Sequence, residues 1–253
     1  MELSEQEKDR YKKHIQLQQV GLVGQEKLKN SAVLVVGAGG LGSPVLLYLA
    51  GAGVGHISII DGDKVTLSNL QRQVIHSTRL LNAPKVESAW KRLGELNPEV
   101  VINISAERIT KKNAAALMAG HEIVVDCTDN LETRFLLNEI CAEQGIPLVY
   151  GAVFEYEGQV AVFDAKRGPC LRCMIPETPP AGSVPDPEQH GLLNTVPGVI
   201  GMLQATEVLK LILGVGEPLI GKLLVYDSLT ATTQMIRLNK RADCPVCNNQ
   251  PGR

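Results

Sequence analysis

The chain has 253 residues, 44% of them hydrophobic, and carries 25 basic against 27 acidic side chains for a formal charge of −2. This is enough apolar material for one large α/β domain and excludes a disordered chain. A near-neutral balance with no basic tract gives no electrostatic support for a nucleic-acid partner, so small molecules or proteins are expected instead.

The charged N-terminus, MELSEQEKDRYKKH, lacks the apolar core of an export signal. The longest apolar stretch, Val196 to Val215, is interrupted by Gln204, Glu207 and Lys210, which would be expensive in lipid. The expectation is a cytoplasmic protein that does not meet a membrane. Residues 1–30 read as a helical segment with Ser4 as N-cap and Glu7 three positions on. Their apolar positions, Ile15, Leu17, Val20, Leu22, Val23 and Leu28, need a surface to cover, in the same domain or in a second subunit.

Residues 31–150 read as a nucleotide-binding half. Ala32 to Gly42, AVLVVGAGGLG, is a buried strand, a tight turn and the start of a helix. Gly37, Gly39 and Gly42 fit G-x-G-x-x-G, where glycines allow the turn, let backbone approach a phosphate and let helix pack on strand. The helix N-terminus then offers free N–H groups to an anion. The next strand, HISIID, ends on Asp61, at about the spacing where dinucleotide folds place a carboxylate on the ribose hydroxyls. A solvated acid in a turn with Gly62 and Asp63 is the plainer alternative.

The segment that follows departs from a hydride-transfer domain. Ser68, Asn69, Gln71, Arg72 and Gln73 crowd donors together, and Lys85 opens a helix behind Asn82 and Pro84. Two cations and several amides after the ribose acid suit a triphosphate, whose shifting charge Arg and Lys stabilise during nucleotidyl transfer. Taken singly, Arg72 and Lys85 could be surface charges. The helix runs to about Leu96, then come a strand from Val100 to Ile104, a helix near Lys111 to Ala119 and a strand from Ile123 to Cys127. That strand ends in DCTDN, placing Asp126, Asp129 and Asn130 at the carboxyl edge of the sheet, where open α/β folds bind ligands. A carboxylate facing a polyphosphate is a natural magnesium ligand, and Asp129 is the better candidate. Helix capping is the alternative for Asp126 and Asp129. A helix from Glu132 to Gln144 and a strand from Pro147 to Val153 complete this half.

Residues 151–253 are patterned differently. Val153 to Asp164 alternates across Glu157 and Gly158 as an antiparallel hairpin, which makes the sheet mixed. A Pro- and Gly-rich crossover loop spans 176–198, followed by a helix from Gly198 to Leu213 and strands from Leu223 to Asp227 and Thr232 to Leu238. Cys170 and Cys173 form one C-x-x-C and Cys244 and Cys247 another. Four such thiolates make a closed, structural tetrahedral zinc site that pins the tail to the body. Redox disulfides are the alternative, disfavoured because neither pair opens a helix after a strand. Cys127 and Cys141 read as buried core residues.

Together these motifs resemble the MoeB/ThiF family, relatives of ubiquitin-activating enzymes that adenylate small sulfur-carrier proteins. The resemblance covers nearly the whole chain, through DRYKKHIQL, GQEKL, GAGGLG, AGVG, LSNLQRQ, PKVESA, DCTDN and both C-x-x-C pairs. It implies a single α/β domain over 1–253, Rossmann-like in its first half and continuing into a mixed, carrier-binding half with the Cys₄ zinc site. It implies ATP as substrate, Mg²⁺ and Zn²⁺, a likeness-derived homodimer, and a partner carrier of β-grasp fold ending in Gly-Gly, whose terminal carboxylate attacks the α-phosphate. By position, Gly40 lies against the nucleotide, Asp61 holds the ribose, Asn69, Arg72 and Lys85 bind the phosphates, Ser68, Leu70 and Gln71 belong to the same nucleotide-binding run, and Asp129 beside Asn130 holds magnesium.

Two departures are visible. The family's arginine, supplied from the partner's N-terminal Arg-Tyr-x-Arg, falls on Lys13 here; a lysine keeps the charge but not the planar fork, and Arg10 is the possible substitute. After Gly182, Ser183, Val184 and Pro185 the chain continues Asp186, Pro187, Glu188, without the cysteine that many members carry there. Adenylation without an enzyme thioester, and sulfur from a separate donor, are therefore expected. Two other readings stand beside this one: an NAD-dependent oxidoreductase, favoured by the glycine fingerprint and Asp61, and a non-catalytic scaffold like the inactive half of heterodimeric activating enzymes.

Overall fold

The computed structural model describes residues 2–180 and 190–248. Eight strands form one continuous sheet in the order β3-β2-β1-β4-β5-β6-β7-β8. The strands are β1 (Ala32–Val36), β2 (His56–Ile60), β3 (Val101–Ser105), β4 (Ile123–Asp126), β5 (Leu148–Phe154), β6 (Glu157–Phe163), β7 (Lys222–Asp227) and β8 (Thr232–Arg237). β3 through β5 in that order are parallel, and β5 through β8 are antiparallel. The apolar runs of β1 and β4 carry no alternation because helices cover the sheet on both sides, as a parallel sheet requires.

The helices among the described residues are α1 (Glu5–Arg10), α2 (Lys12–Ile15), α3 (Gly21–Asn30), α4 (Gly42–Ala52), α5 (Lys85–Leu96), α6 (Ala114–Met118), α7 (Leu131–Gln144), α8 (Leu171–Met174) and α9 (Thr195–Leu213). One face of the sheet packs against Val45, Leu46 and Leu49 of α4, Val86, Ala89 and Leu93 of α5, and Ile200 and Val208 of α9. The other packs against Met118 of α6 and Phe135, Leu137 and Ile140 of α7. Each fully buried aliphatic side chain contributes about 1.5–3 kcal/mol, so these two layers hold the sheet between them.

The N-terminal segment lies on its own domain. Ser4 and Glu7 form the expected capping box at α1. The buried ring of Tyr11 sits against Gly53, where a Cβ would lie 2.5 Å from its Cζ, and its hydroxyl accepts from Asn97 Nδ2 at 2.8 Å. Gly53 also terminates α4 with φ of 81°, so a side chain there is refused by both backbone and neighbour.

Four boundaries differ from the sequence reading. The β5–β6 hairpin turns at Glu155 and Tyr156, with Phe154 opposite Glu157, so the turn precedes Glu157 and Gly158. Glu155 takes φ of 47°, a left-handed conformation that sequence alternation does not reveal. β5 is thereby both the last parallel strand and the first arm of the hairpin, and it straddles position 150. α6 is shorter than Lys111 to Ala119, because residues 111–113 form a turn. α9 starts at Thr195, three residues before Gly198, so 195–198 are helix and not crossover. Residues 181–189 of that loop, including Gly182 to Glu188, lie outside the described residues.

α9 is long and apolar enough by length and composition to cross a membrane, yet it lies over β5 and β6 beside α4. Its polar side chains explain themselves there. Gln204, fully buried, donates from Nε2 to Asp126 O at 2.8 Å and to Val149 O at 3.3 Å, and Glu207 accepts from Leu219 N–H at 2.8 Å. Both satisfy backbone groups that an aliphatic residue would leave unpaired.

Candidate active site

Register brings three loop starts to one edge. Val36 pairs with Ile60 on one side and with Asp126 on the other, so Gly37, Asp61 and the Cys127 to Asn130 turn all emerge at the carboxyl ends of β1, β2 and β4. Between β1 and β4 the strand order reverses direction, and open α/β sheets form a ligand crevice at such a point.

The glycine turn is built for its neighbours as much as for a ligand. Gly37 has φ of 98°, and a Cβ there would lie 2.6 Å from Cys127 O; a Cβ on Gly42 would overlap Gly37 O. Gly39 differs: a Cβ there would meet only Gln73 Nε2, at 3.5 Å, beyond its chain neighbours, so this position keeps its face open. A Cβ on Gly40 would lie 3.2 Å from Pro197 Cβ and 3.7 Å from Arg72 Cγ. The turn therefore sits between α9 and the polar segment after β2.

Asp61 locks onto the turn: its Oδ2 accepts from Ala38 N–H at 2.8 Å and its Oδ1 from Asp63 N–H at 2.8 Å. In the 3₁₀ turn at Leu67–Asn69, Ser68 is exposed and its carbonyl accepts from Arg72 Nη1 at 3.3 Å, while Asn69 Oδ1 accepts from Arg72 Nη2 at 2.8 Å. Gln71 is anchored by its carbonyl, which accepts from Asn194 Nδ2 at 3.1 Å, and Leu70 is half-buried. Lys85 is buried, at 5% exposure, and its Nζ lies 3.0 Å from Asp63 Oδ2. Asp63 also meets Arg108 Nη2 at 3.3 Å. Burial alone would raise the Asp63 carboxyl, but the hydrogen bond and charge of Lys85, with Arg108 behind them, hold it below the usual carboxylate range. Asp63 and Arg108 are partners that the sequence reading did not assign. Asp63 is legible only as a turn residue until the fold folds α5 back onto it.

At the end of β4, Asp126 is fully buried and Asp129 is exposed. Asp126 caps its own turn, accepting from Thr128 N–H at 3.0 Å and Thr128 Oγ1 at 2.7 Å, and faces Arg134 Nε at 3.9 Å. Burial raises its carboxyl against the opposing charge of Arg134 and the Thr128 bonds. The N-cap of α7 is Asn130, whose Oδ1 accepts from Thr133 N–H at 2.9 Å. Capping therefore occupies Asp126 and Asn130, while Asp129 is exposed, with Asn130 Nδ2 3.5 Å from its Oδ1. Lys13 is exposed on α2, and Arg10 is engaged with its own Leu96 carbonyl at 3.0 Å.

The cysteines converge. The sulfurs of Cys170, Cys173, Cys244 and Cys247 all lie within 4.8 Å of one another, with Cys170 to Cys244 at 3.6 Å and Cys173 to Cys247 at 3.4 Å. A tetrahedral zinc with Zn–S bonds of about 2.3 Å spaces its sulfurs about 3.8 Å apart, so this cluster is compatible with zinc. Arg241 N–H points at Cys173 Sγ at 3.4 Å, as amides do toward thiolates. All four cysteines are free of disulfides, as are Cys127 and Cys141, whose thiols burial pushes up and makes poor nucleophiles.

Fold and site together define a class: a doubly wound nucleotide-type sheet extended by an antiparallel half that a four-cysteine cluster closes. The chain belongs to the ThiF family, whose model matches residues 11–246. It is 44% identical to a sulfur carrier protein adenylyltransferase of Thermus thermophilus, over 99% of this chain and 94% of that one. It is 46% identical to a SAMP-activating enzyme E1 of Haloferax volcanii, over 94% of this chain and 88% of that one. Among solved structures, E. coli MccB with MccA-N7isoASN shares the fold, with a TM-score of 0.85 and 24% identity over 96% of this chain and 75% of MccB.

Proposed function

We propose that this protein adenylates the C-terminal carboxylate of a small sulfur-carrier protein in the cytoplasm, using ATP. The observation that supports the reading is that the glycine turn, Asp61 and the Cys127 to Asn130 turn leave the sheet at one edge, with Arg72 held by Asn69 beside Gly40 and Lys85 held by Asp63. Its support from kinship is the identity to named adenylyltransferases over nearly the full length of this chain.

In this reading the turn at Gly39 and Gly40 receives the nucleotide and Asp61 takes the ribose hydroxyls, its carboxylate already oriented by Ala38. Arg72, fixed by Asn69, and Lys85 neutralise the polyphosphate, and Asp129 would hold a magnesium ion that supplies further charge neutralisation there. A carboxylate oxygen of the carrier attacks the α-phosphorus, the bond to the β-phosphate oxygen breaks, and pyrophosphate leaves with the electron pair. Residues 151–253 carry the surface for the carrier. A homodimer would deliver Lys13 from the partner. The product is an acyl-adenylate for a separate sulfur donor. With both cysteines outside the cluster buried, no enzyme thioester forms.

The test is ATP–pyrophosphate exchange with carriers ending in Gly-Gly from the source genome. Exchange dependent on a carrier is expected, with no conjugate cleaved by a thiol reductant. Absence of exchange with every such carrier would overturn the reading.

A further inference from the structure

His76 belongs to none of the assigned groups, yet it joins three of them. The ring is buried, at 8% exposure, and both nitrogens are bonded: Nε2 lies 2.8 Å from Ala38 O and Nδ1 lies 2.9 Å from Ser88 Oγ. A carbonyl oxygen can only accept, so Nε2 carries the proton; Nδ1 is then the acceptor and the Ser88 hydroxyl donates to it. Burial lowers the pKa of the ring below its ordinary value, which agrees with this neutral tautomer.

The peptide units on either side of Ala38 are thereby pinned. The Ala38 N–H donates to Asp61 Oδ2, and the Ala38 carbonyl accepts from His76. His76 sits four positions after Arg72, with its own N–H on Gln73 O at 3.0 Å. Ser88, its other partner, lies one turn into the helix that Lys85 opens. One imidazole therefore ties the open Gly39 face, the Arg72 segment and the Lys85 helix into a single unit. The charges that act on the ring are those of Lys85 and Asp61, both proposed to meet the nucleotide.

We infer that His76 is a positioning residue for the nucleotide, holding the Ala38–Gly39 peptide in the shape that ATP meets through its Nε2–H bond to Ala38 O. The inference rests on the proposed ATP site. Without that bond the turn is free to rotate the Ala38–Gly39 peptide, and part of the binding free energy is spent on reordering it.

Two near-isosteric variants separate this role from general packing. In H76Q the amide Nε2 can reach the position of the imidazole Nε2 and keep the bond to Ala38; in H76N the shorter amide reaches toward Ser88 but not Ala38. ATP affinity by calorimetry, without a carrier, is expected to stay within about twofold of wild type in H76Q and to weaken about five- to tenfold in H76N, the loss of one neutral hydrogen bond. In pyrophosphate exchange the KM for ATP should follow the same order, with kcat at saturating ATP little changed. If H76N does not fold, S88A, which removes the hydroxyl that fixes the tautomer, is expected to weaken ATP binding about two- to fivefold. Equal affinity in H76Q and H76N, or wild-type affinity in S88A, would overturn the inference. Failure of the wild-type protein to bind ATP would instead sink the ATP site itself.

Discussion

The two ends of the sheet are assembled by opposite strategies. At the β1–β4 edge, the side chains proposed to meet the nucleotide come from turns that follow parallel strands, and many are already tied to protein groups: Asp61 to Ala38, Arg72 to Asn69, Lys85 to Asp63. At the antiparallel end, the four cysteines come from two segments 74 residues apart in sequence and bring their sulfurs within 4.8 Å of one another, compatible with a metal ion between them. The first arrangement is preorganised but open, which suits a substrate that must enter and leave. The second is closed, which suits a permanent staple. Loss of the staple should cost stability, and loss of the open site should cost activity.

The largest effect is expected from the metal. Removing zinc with a chelator, or the C244S substitution, strips the tail of its anchor. It should cost several kcal/mol and lower Tm by about 10 °C or more, with zinc near one per chain in protein purified without chelator. Calorimetry with elemental analysis checks this, and a chain that contains no zinc as purified would break the contrast. Next come R72A and D129N. On the proposed reading R72A removes a cation that faces the polyphosphate and D129N a carboxylate that would hold magnesium, so exchange activity should fall about 10²- to 10³-fold. Because Arg72 is partly exposed and Asp129 is exposed, Tm should move by no more than about 2 °C. A large drop in Tm with retained exchange would mean that these side chains are structural.

What could be read in advance follows the same division. The glycine turn, its flanking strand and helix, and the DCTDN turn are contiguous, so sequence pattern displays them directly. The fingerprint with Asp61 fits NAD as well as ATP; only the donors from Ser68 to Gln73 and the position of Lys85 separate the two. The cysteine pairs are distant in sequence but chemically unambiguous, so their meeting was legible too. Asp63, Arg108 and His76 were not, because their roles depend on where β2, α5 and the segment after β3 come together. A charged turn residue, an exposed arginine and a lone histidine carry no pattern of their own. The hairpin turn was misplaced by two residues for a similar reason. Glu155 adopts a left-handed conformation without glycine, and Gly158 instead marks a close approach, since a Cβ there would run into Ile200.

Asp63 tests whether the open site also contributes to resting stability. Its carboxylate is half-exposed and is the charge partner of a lysine that is almost wholly buried. D63N should therefore destabilise the protein at pH 7, by about 1 kcal/mol once solvent screening of the exposed side is allowed for, or about 2–4 °C in Tm. The pH dependence has a definite sign. The folded-state pKa of Asp63 lies below its unfolded value of about 3.9, so the contribution is fully present above that value and fades as pH falls through the lower, folded one. The gap in denaturant midpoint between D63N and wild type should accordingly be open from neutral pH down to about 5 and close progressively below 4. A gap that stays constant across that range would mean that Asp63 acts through its backbone bonds to Asp61 and Lys85, which asparagine retains, and that the buried ammonium needs no carboxylate before the phosphates arrive.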